Sequence, residues 1–291
     1  MIKKPAFSPF AVAMTTPTIL VFLGLSVFPL LFTLFYSFTD FHLISRNPTQ
    51  FVGLGNYADL LQNATFRQVT MNTVRFMLLA TFFQTLIGLA LAVFINSYNR
   101  GTKILRTVIL LPTLMPPVTV ALIWQIMLSN NFGIINDIVA LLGIGPFNWL
   151  MDPNTAFYAI LVIDIWQYAP LAFLLIYATM QTIPAGQYEA AKIDGAGAWD
   201  QFVHITLPNI TSGLLMVILI RTIDTFRLFD KVNILTGGGP ANTTATMTQF
   251  IFQQGVRSFR VGYSSAAALL MTGLVLGFSF IYVKKMLSKM S

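Results

Sequence analysis

GYSSAAALLMTGLVLGFSFIYV, residues 262–283, contains no Asp, Glu, Lys, Arg or His and stops at Lys284 and Lys285. A helix needs about 20 mainly apolar residues to cross the hydrocarbon core of a bilayer, so this stretch reads as a transmembrane helix closed by two cations. Working outward from it, further apolar stretches occur at residues 13–36, 76–95, 108–128 and 156–180, and another begins near residue 209. The stretch at 156–180 contains Asp164, and the one from 209 is interrupted by Arg221, Asp224 and Arg227. The reading is an all-α integral membrane protein with six transmembrane helices. Residues 1–10 form an N-terminal segment, 11–285 the membrane domain, and 286–291 a C-terminal tail. The 13–36 stretch follows Lys3 and Lys4 as a signal peptide would, but its apolar run is long and lacks a clear small-x-small cleavage site, so it is expected to be retained.

Composition agrees. Of 291 residues, 56% are hydrophobic and 9% charged, against roughly 25% charged in a soluble domain. So few charges exclude a cytosolic enzyme, a secreted domain or a disordered tail. Cysteine is absent, which removes disulfides, thiolate chemistry and Cys-ligated metals. The net charge of +7 would suggest nucleic acid in a soluble protein, but its placement says otherwise. Six spans put Lys3, Lys4, Arg100, Lys103, Arg106, Lys192, Lys284, Lys285 and Lys289 on one side of the membrane. Arg46, Arg67, Arg75, Arg257 and Arg260 fall on the other, and residues 129–155 carry no Lys or Arg. By the positive-inside rule both termini are expected in the cytoplasm, and no nucleic acid partner is implied.

Enzymatic signatures are missing. Gly237-Gly238-Gly239-Pro240 runs into Ala-Asn-Thr-Thr without the lysine of a phosphate-binding loop. His42 and His204 are far apart and predicted on opposite sides of the membrane, so no metal site is expected. Pro17, Pro29, Pro112, Pro116, Pro117 and Pro170 predict kinked spans. Gly273-x-x-x-Gly277 predicts a close helix approach in the last span.

The loop at about 183–208 reads IPAGQYEAAKIDGAGAWDQFVHITLP. It predicts a short helix with a small-residue surface at Ala190 and Ala191, ending at Gly195, and a second amphipathic segment leading to Pro208. The residues alone leave two readings: a helix seated in a groove on another protein, with Glu189 and Lys192 at the rim, or a helix lying on the lipid surface. Glu189-Ala-Ala-x-x-Asp-Gly-Ala196, followed by Ile205-x-Leu-Pro208, resembles the cytoplasmic loop of the permease subunits of binding-protein-dependent ABC importers. Leu235-Thr-Gly-Gly-Gly-Pro240 and Gly262-Tyr-Ser-Ser-Ala-Ala267 are similar to the sugar-importer branch, the maltose-type and glycerol-phosphate-type permeases. Leu111-Pro112, Pro116, Trp124 and Gly133-x-x-Asn136 fit the same family.

The resemblance implies a type I ABC importer permease fold in the bacterial cytoplasmic (inner) membrane, working by alternating access. It implies that Glu189, Ala190, Ala191, Asp194, Gly195 and Ala196 form the helix that couples to the ATPase. The implied partners are two ABC ATPase subunits, which bind the ATP and Mg, a second homologous permease, and a periplasmic or lipid-anchored solute-binding protein. The substrate would be a sugar, polyol or related carbohydrate. No catalytic residue, metal or cofactor is expected in this chain.

Ionisable residues within a span are costly and point to function. At 100° per residue Arg221, Asp224, Arg227 and Lys231 fall within an arc of about 120° on one helix face. Counted at 1.5 Å per residue, Arg221 and Asp164 each lie roughly 12 Å from the outer boundary. Two readings follow: Arg221 pairs with Asp164 or Asp224 to tie helices together, or these groups line a translocation cavity. The maltose-type resemblance implies substrate contacts at Gln167, Tyr168, Leu171, Arg221, Asp224, Thr225 and Leu228. The Arg221–Asp224 charges depart from a neutral sugar pocket and leave polyols, monosaccharides and acidic sugars all open. The competing reading is a self-contained, ion-coupled secondary transporter with a proton relay, and behind it an intramembrane enzyme using Asp164 and Asp224.

Overall fold

Apolar segments in lipid satisfy their backbone internally by forming helices, and the computed structural model, which describes residues 9–98 and 102–287, is helical throughout its apolar stretches. In order the helices are α1 (Pro9–Tyr36), α2 (Gly55–Gln62), α3 (Ala64–Ser97), α4 (Thr102–Leu114), α5 (Pro117–Met127), α6 (Ile134–Leu141) and α7 (Ala156–Met180). There follow α8 (Ala185–Ile193), α9 (Ala198–Gln201), α10 (Leu207–Phe226), α11 (Asp230–Leu235), α12 (Met247–Phe252) and α13 (Val261–Leu287). Single helices α1, α3, α7 and α13, and the continuous run through α9 and α10, are long and apolar enough to cross a membrane; α4 and α5 make a sixth if the bent pair is counted as one span.

One expectation about these spans is met and one needs correction. The kink predicted at Pro116 and Pro117 is a 92° bend between α4 and α5. Consecutive Pro116 and Pro117 remove two backbone donors and push the preceding residues out of helical geometry. The carbonyl of Met115 at the break accepts a hydrogen bond from Gln167 Nε2 at 2.9 Å. The fifth span ends at Phe226, so Arg221, Asp224, Arg227 and Lys231 do not lie along one helix. There the carbonyls of Phe226 and Leu228 accept hydroxyl bonds from Thr248 and Thr246 instead of continuing the helical ladder.

The chain divides into two compact units. In the first, residues 9–63 and 251–271, the loop after α1 is tied down by Asn56, whose Nδ2 donates to the carbonyls of Ser37 (2.9 Å) and Thr39 (2.8 Å). A Cβ on Gly262 would stand 2.1 Å from the Thr39 carbonyl oxygen. Only glycine fits there, and Gly262 N–H donates to the Phe41 carbonyl at 2.9 Å. This gives a packing reason for the glycine that opens residues 262–267.

The second unit, residues 64–250 and 272–287, is built on α3, α7 and α10. Gly88 lets α3 approach α7, since a Cβ there would lie 2.7 Å from Phe173 N. Gly213 does the same for α10, meeting Thr179 Oγ1 at 2.3 Å. Among the described residues nothing lies within 4 Å of where a Cβ would stand on Gly273 or Gly277, so within this chain the close approaches are at Gly88 and Gly213. Asn136 earns its place in the 133–136 motif by bonding the backbone of Phe147 in both directions and accepting from Trp149 Nε1 at 2.8 Å.

Candidate functional site

Asp164, buried in the middle of α7, organises the second unit. Its Oδ1 accepts from Lys231 Nζ on α11, and its Oδ2 accepts from Gln84 Nε2 on α3 at 2.8 Å. Gln84 Oε1 in turn accepts from Arg221 Nε on α10 at 2.8 Å, and Arg221 Nη2 lies 3.9 Å from Asp164 Oδ2. Arg221 Nη1 bonds Asp224 Oδ2 at 3.2 Å. Both pairings proposed for Arg221 are therefore present, and the similar depths estimated for Arg221 and Asp164 agree with their contact. Burying charges is tolerable only when each has partners, and here Asp164, Arg221 and Lys231, at 2%, 1% and 1% exposure, share one network. The Tyr168 ring, one turn along α7 from Asp164, receives the Arg221 guanidinium at 4.2 Å and the Lys231 ammonium at 4.4 Å from its centroid.

A cavity of about 260 Å³ opens onto this network. Of the residues predicted to contact substrate, Tyr168, Arg221, Asp224, Thr225 and Leu228 line it. Gln167 and Leu171 do not: Gln167 is buried and bonded to the bend at Met115, and Leu171 is half-buried elsewhere on α7. Asp164, Arg227, Asp230 and Lys231 complete the charged wall. Gln84 and Asp230 were missed by the sequence reading, and Lys231 was placed on the charged face without being counted in the site. A glutamine inside the apolar 76–95 stretch was the available signal for Gln84, because a polar side chain at that depth needs a partner.

The second site is the loop at 183–208. Helix α8 ends in a paired cap: Ala196 N–H donates to the Ala191 carbonyl at 2.8 Å, and Gly195 N–H to that of Lys192 at 3.1 Å. Gly195 sits at φ +80°, a conformation glycine adopts without penalty. The π-helical turn Phe202–Thr206 joins α9 to α10, and Tyr188 on α8 is hydrogen-bonded to Thr206 Oγ1 at 2.9 Å. Asn209 Nδ2 donates to Gln187 Oε1 at 3.1 Å, and Gln201 Nε2 to the Ala196 carbonyl at 2.9 Å. Glu189, Ala190, Asp194 and Gly195 are exposed, while Ala191 and Ala196 are half-buried. Beside them Ile193 is 87% and Trp199 72% exposed, an apolar surface on an otherwise polar loop.

Apolar spans, a charged cavity within one of the two units and a capped, exposed loop together fit a multi-pass membrane transport subunit. The chain belongs to the family of binding-protein-dependent transport system inner membrane components, which residues 84–289 match. It is 36% identical to the trehalose/maltose transport system permease protein MalF of Thermococcus litoralis, over 93% of this chain and 91% of that one. It is 32% identical to the sulfoquinovosyl glycerol transport system permease protein SmoG of Agrobacterium fabrum, over 94% of this chain and 89% of that one. The fold matches a bacterial ABC transporter involved in the import of the acidic polysaccharide alginate, with a TM-score of 0.86 and 23% identity, over 95% of this chain and 94% of that one. The chain is thus a multi-pass inner-membrane permease of a binding-protein-dependent ABC importer.

Proposed function

We propose that the chain carries a carbohydrate through the cavity beside Tyr168 and Asp224, as one half of an importer whose second half is a homologous permease. Two ABC ATPase subunits, which bind ATP and Mg, dock on α8; this chain itself catalyses nothing and holds no cofactor. A periplasmic or lipid-anchored solute-binding protein delivers substrate at the outer face. Both termini lie in the cytoplasm, where Lys103, Arg106, Lys192 and Lys284 also fall.

The observation that carries the reading is the pairing of a polar cavity, set in apolar spans, with a capped and exposed helix on the following loop. Ile193 and Trp199 offer apolar anchors, and Glu189 and Lys192 polar ones at the rim, for a partner's groove. Relatives that transport trehalose, maltose and sulfoquinovosyl glycerol support a carbohydrate substrate. ATP-driven movement of α8 would rock the attached α10 and expose the cavity alternately to either side.

Reconstitution of the full importer in liposomes tests this. Uptake of radiolabelled maltose or glucose should require ATP and the ATPase subunits, and Glu189→Lys should abolish it while leaving the permease folded. Uptake driven by an ion gradient without the ATPase would overturn the proposal.

A further inference from the structure

We infer that Asp224 makes the cavity selective for uncharged polyhydroxy substrates and excludes anionic sugars. The inference rests on the carbohydrate reading above and concerns the charge of the substrate, which that reading leaves open.

The charges around the cavity separate into a sealed floor and an accessible wall. The floor holds Asp164, Arg221 and Lys231, all buried: one carboxylate against two cations, an excess of one positive charge. Gln84 joins the floor by hydrogen bonds and brings no charge. The wall holds Asp224, Asp230 and Arg227, an excess of one negative charge. Asp224 is the link between them. Its side chain is 46% exposed, and Oδ2 meets Arg221 at 3.2 Å. An unmatched cation in a low-dielectric interior is costly, and Asp224 is the carboxylate that meets Arg221 from the cavity side.

Two other polar residues of the lining, Thr225 and Tyr168, are already engaged. Thr225 donates its hydroxyl to the backbone carbonyls of Arg221 and Thr222 at 2.8 and 3.0 Å. The Tyr168 ring is engaged by two cations, which removes it as an open platform for a sugar face. Asp224 Oδ1 accepts no hydrogen bond from any described residue. It is a free acceptor on a half-exposed side chain of the cavity lining, suited to a hydroxyl donor. A carboxylate-bearing sugar would meet a wall whose charge, Asp224 and Asp230 against Arg227, is negative by one before reaching the buried cations, and like charges in juxtaposition repel.

The test uses the assembled importer in nanodiscs, without its binding protein, and radiolabelled maltose, glucose and glucuronate as probes. Glucose and glucuronate differ only in the C6 group. The wild type should bind the neutral sugars at least about tenfold more tightly than glucuronate. Asp224→Asn keeps shape and an acceptor but exposes the positive floor, so the preference should reverse toward glucuronate. Asp224→Glu, which restores the charge, should restore the wild-type order and shows that the change is electrostatic. Wild type binding glucuronate as tightly as glucose, or Asp224→Asn leaving the ratio unchanged, would overturn the inference and leave the carbohydrate reading standing. If the wild type binds none of the three probes, the carbohydrate reading falls and the inference with it.

Discussion

The network around Asp164 and the loop around α8 hold their polar groups by opposite means. In the network, partners are distant along the chain: 80 residues separate Gln84 from Asp164, 67 separate Asp164 from Lys231, and 137 separate Gln84 from Arg221. Each side chain is sealed from solvent, and each comes from a different helix. In the loop, Tyr188 and Thr206 are 18 residues apart and Gln187 and Asn209 are 22 apart. Its charged groups Glu189, Lys192 and Asp194 face solvent, and its cap is closed by backbone bonds within a few residues. The network can form only when α3, α7, α10 and α11 are assembled, whereas the loop needs little beyond its own residues. The same kind of group therefore measures global stability in one place and local order in the other.

The sharpest way to break this contrast is Asp164→Ala. It leaves the buried Lys231 without its carboxylate and the buried Arg221 with only Gln84 and Asp224. Removing one member of a buried ion network costs about 3–5 kcal/mol, so the melting temperature and yield of the solubilised importer should fall steeply. Asp164→Leu combined with Lys231→Met, which removes both charges of the pair, should recover a large part of the loss. A single Asp164→Ala variant with wild-type melting would remove the network as a stability element.

A smaller global effect is expected at Gly213. Its Cβ would stand 2.3 Å from Thr179 Oγ1 and 2.8 Å from Cγ2, so Gly213→Val overpacks the α7–α10 contact at a cost of about 1–3 kcal/mol. Thr179→Ala in the same chain should relieve it. Gly273→Val, with open space around it, should stay within about 0.5 kcal/mol of the parent. Equal melting losses at the two glycines would mean that the last span is packed as closely as α10.

The two regions were also unequally legible in the amino-acid sequence. The end of α8 at Gly195 could be read directly, because a glycine after a helical run is a local signal and the cap that follows uses neighbouring residues. Asp164, Arg221 and Asp224 could be flagged because each interrupts an apolar span. Their partnership was only half readable. Depth arithmetic put Asp164 beside Arg221, but helical periodicity continued past Phe226 and misplaced Lys231 on the same helix. The termination there depends on Thr246 and Thr248, which reach back from some 20 residues further on, and periodicity carries no trace of them. The maltose-type resemblance implies a substrate contact at Gln167, yet its Nε2 donates to the carbonyl freed at the α4–α5 bend. A bend creates a demand for a donor without stating which donor answers it. The Gly273-x-x-x-Gly277 spacing likewise permits contact but does not place a neighbour.

Local effects should behave differently from global ones. Gly195→Ala forces a side chain into φ +80°, a strain of about 1–2 kcal/mol confined to the end of α8. Melting of the whole importer should barely move, while substrate-stimulated ATP hydrolysis should drop. A large melting loss with intact stimulation would show that the cap supports the bundle and not the loop.

The finest test is Tyr188→Phe, which removes one hydroxyl and nothing else. Tyr188 ties α8 to Thr206 in the π-helical turn that opens into α10, and Thr206 Oγ1 has only a longer bond, 3.4 Å to the Gln201 carbonyl, to fall back on. A hydrogen bond of this kind contributes about 0.5–1.5 kcal/mol net. If the loop opens independently of the spans, that loss appears as faster amide exchange across residues 185–193, by up to about tenfold, with exchange in α3 and α7 unchanged. If instead α7 and α10 exchange faster together with α8, the tyrosine transmits order between the loop and the membrane core, and the separation between the two regions is smaller than their contacts indicate. The hydroxyl is the only atom altered, so the measurement distinguishes a loop that moves on α10 from one that moves with it.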